Sequence, residues 1–120
     1  MARTVLVADD NPAIRKMLCQ MFEREDDYDL CAEATNGQEA IDLAMKQKPD
    51  LIILDLSMPV MNGLNAAREL KRIMPAVPII LFTQHADSEL RMTNLNVDRI
   101  VSKNDGASLM GHVRSLVPAW

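Results

Sequence analysis

Thr4-Val5-Leu6-Val7-Ala8-Asp9-Asp10 is a short apolar run that stops on two carboxylates. Leu51-Ile52-Ile53-Leu54-Asp55 has the same form, with Met58-Pro59 close behind. Runs this short and this rich in aliphatic residues read as buried strands rather than helices. If both are parallel strands of one sheet, they deliver three carboxylates to one edge. Carboxylates crowded in that way repel one another unless a proton or a metal joins them. Hard oxygen ligands at such density suit Mg²⁺. The chemistry of the chain is therefore expected at this edge.

Working outward, further apolar runs occupy 30–34, 77–82 and 100–101, in addition to 5–8 and 51–54. Stretches of helical period lie between them. Ile14, Met17, Leu18, Met21 and Phe22 recur at helical spacing after Asn11-Pro12, a pair that suits N-cap and N1. Asn36-Gly37-Gln38-Glu39 sets a glutamate three residues after a capping asparagine and opens a helix that Pro49 stops. Leu64, Ala67, Leu70, Lys71 and Met74 mark a third helix ended by Pro75. A fourth, over 87–95, is expected to be short and poorly apolar, and a fifth runs over 107–117. Five strands alternating with five helices predict an α/β fold built on a doubly wound parallel sheet. In such sheets ligands sit beyond the carboxyl ends of the strands, where Asp9, Asp10, Asp55, Thr83 and Lys103 all fall.

Composition narrows the field. The 120 residues suit one domain with a real core, and four aromatics in all make that core aliphatic with methionine as filler. Met17, Met21, Met45, Met74 and Met110 are expected to pack there. A net charge of −4 argues against nucleic acid as a direct partner. No apolar run has the length of a membrane span, and the first residues lack a signal-peptide core. Cys19 and Cys31 have no metal or redox spacing and read as free thiols in a reducing cytoplasm.

The five side chains at the strand ends are three acids, a hydroxyl and an amine. Asp9 and Asp10 can hold Mg²⁺, while Asp55 can give an oxygen to the metal or act as a nucleophile that forms an acyl phosphate. Lys103 supplies a compact positive charge, and Thr83 a hydrogen bond, for phosphoryl oxygens. With Asp9-Asp10, Asp55-Leu56-Ser57-Met58-Pro59, Gly63, Thr83 and Lys103 in this order, the chain resembles a response-regulator receiver domain over nearly its whole length. The resemblance implies one receiver domain over 1–120, flavodoxin-like with strand order 2-1-3-4-5. It implies that Asp55 accepts a phosphoryl group from a sensor histidine kinase or phosphotransfer protein. Asp10, Asp55 and the Ser57 carbonyl would ligate Mg²⁺, with Asp9 acting through water. The module catalyses only its own phosphorylation and dephosphorylation. Lys103-Asn104-Asp105 is closer to receivers joined to DNA-binding output domains, so a stand-alone receiver and an excised one are both open, as is a homodimer.

Three departures from the family stand out. Ile100 occupies a position where many receivers carry an aromatic ring, and it reads as plain sheet filler. Asn104 stands where proline is frequent. Nineteen residues separate Thr83 from Lys103, fewer than the family usually has, and Asn96 sits where glycine is common. These motivate a second expectation, a degenerate receiver that acts as an interaction module without productive phosphorylation. An aspartyl phosphatase is disfavoured because Ser57 stands where such enzymes want a second acid. A flavin binder is disfavoured by the acidic first loop. Simpler roles remain for single residues: Asp9 and Asp10 as helix N-terminal charges, Thr83 as a helix cap, and His85 as either a loop histidine or a tuner of phosphoaspartate lifetime. His112 is expected at the surface, and Trp120 has no assigned role.

Overall fold

In the computed structural model, residues 2–84 and 96–119 are described. The elements are β1 (Arg3–Ala8), α1 (Pro12–Glu23), β2 (Tyr28–Ala34), α2 (Gly37–Gln47), β3 (Leu51–Leu54), α3 (Gly63–Ile73), β4 (Ile79–Thr83), β5 (Arg99–Ser102), a 3-10 stretch over Lys103–Ser108 and α4 (Leu109–Leu116). The strands form one parallel sheet in the order β2-β1-β3-β4-β5. This is the doubly wound α/β architecture that the alternation of runs predicts. The expected short helix over 87–95, His85 and Trp120 lie outside the described residues, so four α-helices are described where the sequence predicts five. The last of them begins two residues later than expected, because the 3-10 stretch occupies its first turn.

Local chemistry sets the helix starts. The Asn11 side chain accepts from the Ala13 N–H, with Pro12 at the first helical position. Asn36 accepts from the Glu39 N–H, and Glu39 reaches back to the Thr35 N–H at 3.0 Å, so the cap is reciprocal but displaced by one residue. Asn62 accepts from the Asn65 N–H at 2.9 Å and caps α3. Lys48, in the left-handed region at φ 50°, ends α2 just ahead of Pro49.

Strands β3 and β4 are buried along their whole length, as expected of strands covered on both faces. One face packs against α1 and α4 through Leu18, Phe22, Tyr28, Phe82, Leu109 and Val113. The Tyr28 hydroxyl donates to the Val117 carbonyl at 2.6 Å and ties β2 to the end of α4. The other face packs against α2 and α3 through Leu6, Ile52, Leu54, Leu70 and a group of alanines. Ile100 is partly buried against this second cluster, in the role of sheet filler. Met110 is buried and Met17, Met21 and Met74 are partly so, but Met45 is half exposed and does not fill the core. It lies on the outer side of α2, one residue beyond the buried Ala44. His112 is partly exposed on α4.

Candidate functional site

Register builds the site. Ala8 of β1 lies opposite Leu54 of β3, so the next residue on each strand, Asp9 and Asp55, leaves the sheet edge side by side. The Asp55 N–H donates to the Ala8 carbonyl at 2.9 Å and holds the two ends together. Thr83 ends β4, paired with Ser102 of β5, and Lys103 follows. Asp9, Asp55 and Thr83 are the buried polar and charged residues among those described.

Lys103 Nζ lies 2.7 Å from Asp9 Oδ2 and 3.3 Å from Asp55 Oδ1. Asp9, Asp10 and Asp55 each offer a carboxylate oxygen, and these lie within 4.8 Å of one another. Asp10 is exposed, whereas its two partners are not. Three carboxylates against one ammonium leave surplus negative charge in a poorly solvated place. Burial pushes the Asp55 carboxyl above its ordinary range and neighbouring Asp9 adds to the shift, while Lys103 and the Leu56 N–H pull it back. The donor set, all oxygen and over-charged, fits a hard divalent cation.

Two glycines shape the approach to this edge. The Gly63 N–H donates to the Leu56 carbonyl at 2.9 Å, and a Cβ there would lie 2.0 Å from the Asp55 carbonyl oxygen. The Gly37 N–H donates to the Met61 carbonyl at 2.9 Å, and a Cβ there would lie 2.3 Å from that oxygen. The turn between β3 and α3 is thereby clamped between Asp55 and the start of α2. Within it, Val60 is 83% exposed and has φ 67°, a left-handed value that β-branched residues resist. Asp10, Leu56, Ser57, Met58, Pro59 and Asn62 line an open hollow beside the acids.

The residues singled out in the sequence therefore meet to different degrees. Asp9, Asp10, Asp55 and Lys103 form one cluster; Ser57 shares the hollow with Asp10; Thr83 stands at the end of the next strand. The Lys103–Asn104 bond is trans, as are all those described. One side chain escaped the sequence reading: Arg15 Nη1 donates to the Asp9 carbonyl at 2.8 Å. Its spacing on α1 reads as an ordinary solvent-facing charge, and the one available signal is its place in the first turn of α1, six residues after Asp9.

Comparison with known proteins adds the family. The model of the response regulator receiver domain matches residues 5–114. The chain is 38% identical over 93 residues to protein-glutamate methylesterase/protein-glutamine glutaminase 4 of Hahella chejuensis, covering 78% of this chain and 24% of that protein. It is 46% identical over 84 residues to the transcriptional regulatory protein PdtaR of Mycobacterium tuberculosis, covering 68% of this chain and 40% of that protein. The chain thus spans between 24% and 40% of the length of these relatives. Response regulator TrrA of Thermotoga maritima, solved with Mg²⁺ and BeF, superimposes with a TM-score of 0.84 at 33% identity, covering 96% of this chain and 99% of that one. The same regulator in complex with histidine kinase ThkA gives a TM-score of 0.83 at 32% identity, covering 96% and 98%. Among the described residues no helix is long and apolar enough to cross a membrane. With its sheet order, its acidic edge and a family match from the first strand into the last helix, the chain belongs to the response-regulator receiver domains of two-component signalling.

Proposed function

We propose that this receiver takes a phosphoryl group onto Asp55 from the phosphohistidine of a histidine kinase or phosphotransfer protein, in a Mg²⁺-dependent reaction. The observation that carries the reading is Asp55 itself, buried beside Asp9 and Asp10 and within 3.3 Å of Lys103 Nζ. Asp10, Asp55 and the Ser57 main-chain carbonyl would hold the metal, with Asp9 acting through water. When bound, Mg²⁺ offsets the charge of the carboxylates and of the incoming phosphoryl oxygens.

The chain's own groups do the rest. An Asp55 carboxylate oxygen attacks phosphorus and forms the new P–O bond. The P–N bond to the histidine breaks, its electron pair leaves on the imidazole nitrogen, and that nitrogen takes up a proton. Lys103 balances negative charge at the acceptor, and the Thr83 hydroxyl donates to a phosphoryl oxygen. Burial favours the first step, because a poorly hydrated carboxylate need not shed an ordered water shell before it reacts.

The receiver unit extends over 1–120 in this reading, acts in the cytoplasm and switches an output surface or an attached output domain. A kinase partner is supported by the complex of TrrA with ThkA, and an output that regulates transcription by the likeness to PdtaR, a transcriptional regulatory protein. The likeness to a protein-glutamate methylesterase makes an enzymatic output the competing choice. A second reading, an interaction module that does not cycle, draws on Ile100, which fills the sheet where many receivers place a ring.

Incubation with acetyl phosphate and Mg²⁺, followed by intact mass spectrometry, separates the two. One phosphoryl adduct is expected, lost in Asp55→Asn and in EDTA. No adduct, or one that survives Asp55→Asn, rejects the first reading in favour of the second.

A further inference from the structure

Asp9 has every polar atom engaged. Its N–H donates to the Ala34 carbonyl at 3.0 Å, its Oδ1 accepts from the Asn11 N–H at 2.9 Å, and its Oδ2 pairs with Lys103 at 2.7 Å. Its carbonyl accepts from Arg15 Nη1 at 2.8 Å. Two of these bonds act on Asp10, not on Asp9. The peptide group from the Asp9 carbonyl to the Asp10 Cα is one rigid plane, so holding that oxygen holds the plane. The next plane, from Asp10 to Asn11, is held by its N–H on Asp9 Oδ1. Both planes flanking Asp10 are thus pinned, although its side chain is exposed and makes no ion pair among the described residues.

Arg15 is built for the first of these tasks. Its side chain is 19% exposed, and Nε lies 3.5 Å from Glu33 Oε1 on β2 while Nη1 holds the carbonyl. Burial first, and then neighbouring Glu33, push the Cys19 thiol, one turn further along α1, up to about 11. A planar guanidinium can serve two acceptors at fixed angles, which an ammonium does less well.

We infer that Arg15 is a positioning residue for the divalent-cation seat: braced by Glu33, it holds the Asp9 carbonyl and so fixes where Asp10 presents its carboxylate. The inference rests on the Mg²⁺ reading of the acidic cluster given above. Arg15 touches neither the metal oxygens nor the phosphoryl group; it acts through the main chain. Partners of this outer kind change metal affinity by roughly 10-fold or more when removed.

The test is a Mg²⁺ titration by isothermal calorimetry of the parent protein, Arg15→Ala, Arg15→Lys and Glu33→Gln, with Tm in EDTA measured beside it. Arg15→Ala is expected to bind Mg²⁺ roughly 10-fold more weakly, with Arg15→Lys between it and the parent and Glu33→Gln closer to the parent. A merely structural role would lower the Tm in EDTA and leave the affinity of the folded protein alone. Affinity within about twofold of the parent in Arg15→Ala, well below the loss expected of an outer-shell partner, overturns the inference. If Arg15→Ala does not fold, Arg15→Gln, which keeps the stem and loses the charge, decides on the same scale. A parent protein that binds no Mg²⁺ removes the metal reading and this inference with it. A parent that binds while the variants bind equally well removes only the inference.

Discussion

Between the sheet and α1 and α4 the core is made of large side chains, with Phe22, Tyr28 and Phe82 among them; Phe22 and Tyr28 meet edge to face at 6.5 Å. Between the sheet and α2 and α3 it holds Ala8, Ala34, Ala40, Ala44, Ala66 and Ala67 among leucines and isoleucines. A large side chain on the first face buries more apolar area than an alanine on the second, so each one removed there costs more stability. The small face lets helices come near, and at its site end Gly37 and Gly63 press directly on main-chain carbonyls. Both faces hold the molecule together, but only the second also brings the turn after Asp55 across the acidic edge. The same sheet therefore separates stability from site geometry by side-chain size.

That division can be broken from either side. The largest effect is expected on the large face: Phe22→Ala leaves a cavity between α1 and the sheet and should cost about 4 kcal/mol in urea unfolding, with the acidic cluster intact. On the small face, Gly63→Ala drives a Cβ into the Asp55 carbonyl, a main-chain atom that moves only at a cost. It should cost about 3 kcal/mol and, unlike Phe22→Ala, should also weaken phosphoryl uptake from acetyl phosphate, because Asp55 itself must shift. If both variants lose stability and both keep full uptake, the separation fails.

A smaller effect of opposite sign is expected at Val60. Its left-handed φ costs a β-branched residue about 1 kcal/mol or more, and asparagine tolerates that region. Val60→Asn should raise the urea midpoint by the equivalent of about 1 kcal/mol, with the slope unchanged. A lower midpoint would mean that the exposed valine makes a contact worth more than its strain.

The finest probe is pH, in EDTA. Asp55 has its folded pKa raised above the ordinary 3.8, chiefly by burial and then by Asp9. A group raised in this way contributes stability that is fully present below 3.8 and is lost as pH rises through the folded value. Asp55→Asn does not titrate there. Its Tm advantage over the parent should be absent in acid, open as pH rises through the raised value and stay constant to neutrality, and it should shrink when Mg²⁺ is added. An advantage that instead closes with rising pH would reverse the sign assigned to Asp55.

Much of this arrangement can be read from the chain itself. Strand ends and helix starts are local events: apolar runs of period two or of none, an asparagine before a helix, a proline after one. Those signals place Asp9, Asp10, Asp55, Thr83 and Lys103 on one sheet edge, and Asn11 and Asn36 at the caps the structure shows. Met45 misled because its spacing matches a packing position, whereas its side chain sits one residue past the buried stripe of α2.

What the sequence by itself determined is the order of elements, the edge and the chemical kinds gathered there. Tertiary structure alone decided how they share it. That Lys103 lies closest to Asp9, that Asp10 stays in solvent, and that Arg15 reaches back to a carbonyl all depend on inter-strand register and helix approach. Those are distances between residues far apart in the chain, and they are fixed by packing against the two faces rather than by any local preference.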